Sequence, residues 1–255
     1  MPANLEYYPT VHPVRAVTLV VAGLNVRPSA MLALLEWLND KGSHAFLVKL
    51  SGHHEHSVSI MNVTRAIWEE DMLNGYEAAF AAAGKNAVPL YFLAYSLGAL
   101  LGQSLLLMPG RNIGFDKQVL FAPATAIRKR NYLLKLLFGW GNLSLPSYAP
   151  DRYKANKRLP VRIYKIMFGM ETELWKAGAG KLPVPTLVFL DPWDELISCK
   201  KTGSYFGGRN SEIVRLDSHM RGRYGGYHHL IINESTMGKK NWQLVIDKMG
   251  AFLFS

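Results

Sequence analysis

Ser96 stands in the stretch Tyr91-Phe-Leu-Ala-Tyr-Ser-Leu-Gly-Ala-Leu100, where an apolar run reaches a serine flanked by small residues. Two kinds of chemistry suit a serine there. It can cap the helix that follows, its hydroxyl taking a free backbone N–H. It can also be a nucleophile, but a serine hydroxyl attacks only when a base takes its proton. The stretch alone allows both readings. The choice rests on which bases and acids the rest of the chain brings to it.

The elements that would do so are legible as an alternation. Apolar, β-rich runs at Ala16–Ala22, His44–Leu50, Val88–Ala94, Lys117–Pro123, Pro185–Leu190 and Glu212–Leu216 read as strands. Helical spacing fills several of the intervals: a segment from Pro28 to Gly42, another at Asn62–Ala83 with Ile67, Leu73 and Tyr76 facing inward, a third at Leu97–Leu107, and a C-terminal one at Lys239–Phe254. Strands alternating with helices imply βαβ units, and continuously apolar strands imply a parallel sheet buried on both faces. The expected class is therefore α/β, one domain spanning residues 1–255. The rhythm breaks at 125–182, which reads as a lid-like insertion between two core strands.

In such sheets functional residues gather at the carboxyl ends of strands. Those ends read "AGLN" (Ala22–Asn25), "SGHHEH" (Ser51–His56), "AYSLGA" (Ala94–Ala99), "DPWDE" (Asp191–Glu195) and, after the last strand, "GGYHHL" (Gly225–Leu230). In this order they resemble the α/β-hydrolase superfamily, in particular its carboxylesterase-like and monoacylglycerol-lipase-like serine hydrolases. The family's elbow, small-x-nucleophile-x-small, has its counterpart in Ala94-Tyr95-Ser96-Leu97-Gly98.

The resemblance implies a mostly parallel sheet flanked by helices, with a lid, and it implies roles. Ser96 would be the nucleophile, Asp194 the acid and His228 the general base, in the family's chain order. Asp191, three residues before Asp194, is the rival acid. His229 is the rival base, and the family's His-x-Leu pattern favours His228. Ala22-Gly23-Leu24 departs from the usual His-Gly at the first strand end, and His54 replaces a glycine in the second. The backbone N–H groups of Leu24 and Leu97 would form the oxyanion hole. The implied activity is cleavage of carboxylic esters of apolar acyl groups through an acyl-enzyme, with no cofactor and no metal. A thioesterase, an acyltransferase, or a non-catalytic ligand- or lipid-binding protein on the same fold are the alternatives.

Composition bounds the rest. The single cysteine, Cys199, excludes an internal disulfide framework. The opening residues lack a basic segment followed by an apolar core, and no run approaches a membrane span, so a cytoplasmic protein is expected. The net charge of +10 is concentrated: residues 124–183 carry 12 Lys and Arg against 3 Asp and Glu. No zinc-finger, RNA-recognition or basic-zipper motif accompanies that charge, so no nucleic-acid partner is expected. The segment is also aromatic, with Tyr132, Phe138, Trp140, Tyr148, Tyr153, Tyr164 and Phe168. A solvated surface, packing over the site, and peripheral contact with anionic membrane all suit that composition. The run His53-His54-Glu55-His56 has metal-ligand types, but adjacent residues rarely converge on one ion.

Overall fold

The computed structural model describes residues 2–255 except 56, 141–142, 148, 179–183 and 209. The end of the expected insertion at Leu182, along with His56 and Tyr148, lies outside the described residues.

Seven strands form the main sheet. In chain order the first half of the molecule runs β1 (Leu5–Tyr8), β2 (Ala16–Val21), α1 (Leu32–Asp40), β3 (Ser43–Val48), α2 (Arg65–Asn86), β4 (Leu90–Tyr95), α3 (Leu97–Leu106) and β5 (Lys117–Phe121). A 3-10 helix, Lys129–Leu137, then leads to a small hairpin of β6 (Ser144–Pro146) and β7 (Arg158–Pro160) and to α4 (Val161–Ala177). The main sheet resumes with β8 (Thr186–Leu190), α5 (Cys199–Phe206) and β9 (Ser211–Arg215), and the chain closes with α6 (Glu234–Met237) and α7 (Lys239–Phe254). The strand order is β1-β3-β2-β4-β5-β8-β9, parallel throughout except for β1. The sheet is thus mostly parallel and flanked by helices. The hairpin and α4 fall between β5 and β8, the interval in which the insertion was expected.

Burial explains the apolar runs. Every residue of β2, β4 and β8 is buried, as strands covered on both faces must be. β1 was not legible as a strand because it is a four-residue edge with only Leu5 buried. In α2 the inner face carries Trp68, Met72, Gly75, Tyr76, Ala79 and Ala83. Of the three residues expected to face inward there, Tyr76 is buried, whereas Ile67 and Leu73 are only partly so. The apolar face is turned by about one residue because Trp68 plugs the core and its indole N–H donates to Ser51 O at 3.0 Å. Thr64 caps the helix by accepting from Ile67 N–H. In the insertion, α4 is a 17-residue amphipathic helix that sequence reading did not find. Gly169 and the buried Glu171 interrupt its apolar pattern.

Two packing features next to the strand ends have measurable consequences. First, α3 lies directly on β2: a Cβ at Gly98 would stand 2.6 Å from both Val21 O and Ala22 O. Backbone cannot move aside as a side chain can, so this position requires glycine. Second, the loop after β3 buries His53. Its Nδ1 lies 3.1 Å from Ser51 O, and a carbonyl only accepts, so Nδ1 carries the proton. Burial pushes the imidazole's pKa down to about 4.

Two stability predictions follow from these contacts. Gly98→Val should lower unfolding free energy by about 3 kcal/mol or more in urea melts; a loss below 1 kcal/mol would mean α3 can shift off β2. For His53 the folded pKa lies below the unfolded value. The folded state therefore binds fewer protons, and stability is lost as pH falls from 6.5 towards 4. The group alone contributes about 3 kcal/mol over that window. His53→Gln should flatten the wild-type decline there, and an unchanged pH slope would contradict the assignment.

Candidate active site

Ser96 joins the end of β4 to the start of α3 at φ 50°, ψ −110°. Positive φ is costly for a residue with a Cβ, on the order of 1–3 kcal/mol, and persists only where neighbours enforce it. Here they do. Ser96 N–H donates to Phe121 O at 2.9 Å, and Ser96 O accepts from Ala124 N–H at 3.1 Å and from Leu100 N–H at 3.2 Å. The elbow is thereby tied to the end of β5 and to the helix at once. Ser96 makes no side-chain cap bond to α3. Its hydroxyl points elsewhere.

It points at an imidazole. Ser96 Oγ lies 2.8 Å from His229 Nε2, and His229 Nδ1 lies 2.8 Å from Asp194 Oδ2. Asp194 is fully buried, and its other oxygen accepts from Leu196 N–H and Ile197 N–H, each at 2.7 Å. A carboxylate only accepts, so the Nδ1 proton of His229 faces Asp194 and its Nε2 lone pair faces the serine hydroxyl. This corrects the expectation for His228. That imidazole is turned away from Ser96, with Nδ1 2.9 Å from Asp191 Oδ2. Asp191 is also fully buried and is shared with Arg221, Ser218 and the Trp193 N–H. The two aspartates and two histidines therefore form two separate pairs, 194 with 229 and 191 with 228.

The reason for the division is Glu195, which sequence reading did not single out. One carboxylate oxygen accepts from His228 N–H and the other from His229 N–H, both at 2.9 Å. With two successive N–H groups pinned to one carboxylate, the two imidazoles leave the backbone in different directions. Tyr95 adds a further tether: its hydroxyl donates to His229 O at 3.1 Å. Burial holds the Tyr95 pKa well above its ordinary value, so it remains a donor.

Leu24 and Leu97, expected to offer backbone N–H groups, flank the serine in the chain's folding. Leu97 opens α3, where an N–H has no carbonyl in its own helix. Leu24 follows Gly23, whose missing side chain allows close approach: a Cβ there would stand 2.6 Å from the Tyr95 ring and 3.0 Å from Ser96 Cβ. Asn25, at φ 59°, locks this turn from the other side. Its amide donates to Ser147 Oγ and Asn156 O, and its Oδ1 accepts from Asn156 N–H at 2.7 Å.

Above the serine is a cavity of about 600 Å³. Leu24, Tyr95, Ser96, Ile197 and His229 line it from the core; Leu133, Leu137, Leu145, Leu159, Met167 and Phe168 line it from the insertion. The insertion is fastened at both sides of this cavity, by the Val26–Lys154 bridge and by the Ile127–Ile197 bridge. Among the described residues no group of three His, Cys, Asp or Glu could hold a metal, and no helix is long and apolar enough to cross a membrane.

Comparison of this architecture with solved structures gives matches along nearly the whole chain. One is a structure reported for LipS and LipT, two metagenome-derived lipolytic enzymes, at 18% identity and a TM-score of 0.75, covering 98% of this chain and 96% of that one. The chain has the α/β-hydrolase fold. A soluble variant of monoglyceride lipase from Saccharomyces cerevisiae matches at 13% identity and a TM-score of 0.80, over 98% of this chain and 89% of its own. A carboxyl esterase from Bacillus coagulans matches at 14% and 0.68, over 97% and 93%. No protein-family model matches the sequence, and no curated protein does. The likeness is one of fold, carried at identities where sequence comparison is silent.

The Glu195 clamp generates a prediction. Glu195→Gln leaves one acceptor for two N–H groups, so His229 should lose its alignment with Ser96. In a crystal structure of the variant, the His229 Nε2–Ser96 Oγ separation should open from 2.8 Å to beyond hydrogen-bond reach, past about 3.5 Å. An unchanged separation would mean that Glu195 does not set the direction of the ring.

Proposed function

We propose that the protein is a serine hydrolase of carboxylic esters with apolar acyl groups. The observation that carries this reading is the continuous hydrogen-bonded line Asp194–His229–Ser96 at the floor of a leucine-lined cavity. The likeness to solved structures of lipases and esterases supports it.

In this reading Ser96 Oγ attacks the ester carbonyl while His229 Nε2 takes its proton. Asp194 holds the ring through Nδ1–H and stabilises the imidazolium. The tetrahedral oxyanion is received by the N–H groups of Leu24 and Leu97. Among the described residues neither has another acceptor, and one such donor is typically worth about 100- to 1,000-fold in rate. As the intermediate collapses, the C–O bond to the alcohol breaks and the imidazolium returns its proton to the departing oxygen. Water, deprotonated by His229, then releases the acid and restores the Ser96 hydroxyl. The acyl chain occupies the cavity under the insertion, which on this reading acts as a lid. No cofactor takes part in any of these steps.

A fluorophosphonate probe tests the nucleophile: the wild type should be labelled and Ser96→Ala should not. An unlabelled wild type would overturn the reading, and a labelled Ser96→Ala would move the nucleophile elsewhere. The base is tested by the two adjacent imidazoles. His229→Ala should lower kcat/KM on a short p-nitrophenyl ester by at least about a thousandfold, whereas His228→Ala should lower it less than tenfold. The reverse ranking would assign the base to His228.

A further inference from the structure

The basic excess of residues 124–183 is not used by the chemistry above, and part of it has a definite location. Three of its cations, Arg128, Lys129 and Arg130, line one surface pocket of about 530 Å³ with Lys200 and Lys201 of α5, two serines and no carboxylate. Among the described residues none of the five makes a salt bridge. Three of them are nonetheless fixed. Arg128 donates to Ile197 O and Pro192 O, each at 3.1 Å, and Arg130 donates to Glu195 O at 2.9 Å. Lys201 Nζ lies 3.5 Å from Ile127 O and 5.1 Å from the centre of the Tyr132 ring. Carbonyls and a ring face orient these cations without an ion pair, although the buried Glu171 carboxylate lies within electrostatic reach of Lys201. Five like charges held around one concavity repel one another, and an anion in it removes that repulsion.

The pocket adjoins the proposed acyl site. Arg130 lines both cavities, and one 3-10 helix separates them: Lys129 and Arg130 at its start face the basic pocket, while Leu133, Leu134, Leu136 and Leu137 line the apolar one. The ligand chemistry that matches such a pair of spaces is an apolar chain attached to a strongly charged, multi-oxygen anion. A phosphate monoester carries about −1.5 to −2 charges and three acceptor oxygens, which suits two guanidinium groups and three ammonium groups better than a single carboxylate would.

We propose that this pocket binds a phosphate group carried on the alcohol portion of the ester substrate whose acyl chain occupies the apolar cavity. The assignment rests on the ester-hydrolase reading of Ser96, so its test uses ligands that the site does not cleave. A 1-dodecylglycerol ether and its 3-phosphate differ only in the phosphate, and neither has an ester bond. In titrations of the full chain at low salt, below the ligands' aggregation thresholds, the phosphate ether should bind about tenfold more tightly than the neutral ether. The preference should shrink as salt rises. Inorganic phosphate should displace the phosphate ether and leave the neutral one bound. In the double variant Lys129→Glu/Lys200→Glu the preference should vanish while binding of the neutral ether is unchanged, which also reports that the fold is intact. Equal binding of the two ethers by the wild type, or a preference that survives the charge reversal, would overturn the proposal. So would inorganic phosphate that binds through these lysines with no preference for the phosphate ether, since the pocket would then serve a free anion. Failure of the ester-hydrolase reading is seen separately, as absence of neutral-ester cleavage.

Discussion

The backbone of Ser96 is the constraint around which the rest of the site is arranged. A serine at φ 50°, ψ −110° is a costly conformation for a side chain with a Cβ. It is held because β4 must end where the Phe121 carbonyl takes the Ser96 N–H, and because α3 must begin close enough to β2 that only glycine fits at position 98. The parallel strands β2, β4 and β5 and the helix on top of them thus aim one hydroxyl out of the sheet's edge. At position 23 a Cβ would meet the buried Tyr95 ring and Ser96 Cβ, so glycine there lets the turn after β2 lie against the serine. Core packing and site geometry are here the same set of contacts.

The second organising feature is the meeting of two loops. The turn after β8 supplies Asp191, Asp194 and Glu195, and the loop after β9 supplies His228 and His229. Three carboxylates then do three different things. Asp194 orients the imidazole next to Ser96, and Asp191 joins His228 to Arg221 and Ser218. Glu195 pins the backbone between the two imidazoles and, through its own carbonyl, the start of the 3-10 helix above the cavity. The insertion is therefore coupled to the acid turn by direct hydrogen bonds. On the reading proposed, movement of that helix would be felt at the base.

Much of this was legible in the sequence, and the exceptions have physical causes. The buried strands were found because both of their faces are covered and their residues are continuously apolar; β1 was missed because an edge strand of four residues carries no such run. Ser96 stood out at a strand end, whereas Asp194 was preferred to Asp191, which lies nearer the strand end, only on the spacing of the family that the sequence resembles. The choice between His228 and His229 could not be made that way. Adjacent residues have the same neighbours in sequence, and their divergence is fixed by a carboxylate 33 and 34 residues away. The one local signal was that His229 directly precedes Leu230-Ile231-Ile232, all buried. Helix α4 was hidden by a buried Glu171, whose carboxylate is satisfied by Ile127 N–H and the Tyr132 hydroxyl. No periodicity rule anticipates that partner.

Covalent chemistry at Ser96 is the centre of the proposed reading, and the most direct measurement is the mass of the protein quenched during incubation with an ester. With a p-nitrophenyl ester of a medium-chain acid, acid-quenched protein should carry one acyl group, and fragmentation of the peptide containing residues 91–100 should place it on Ser96. An acyl group on any other residue, or ester cleavage at full rate with no acylated protein at any quench time, would contradict it.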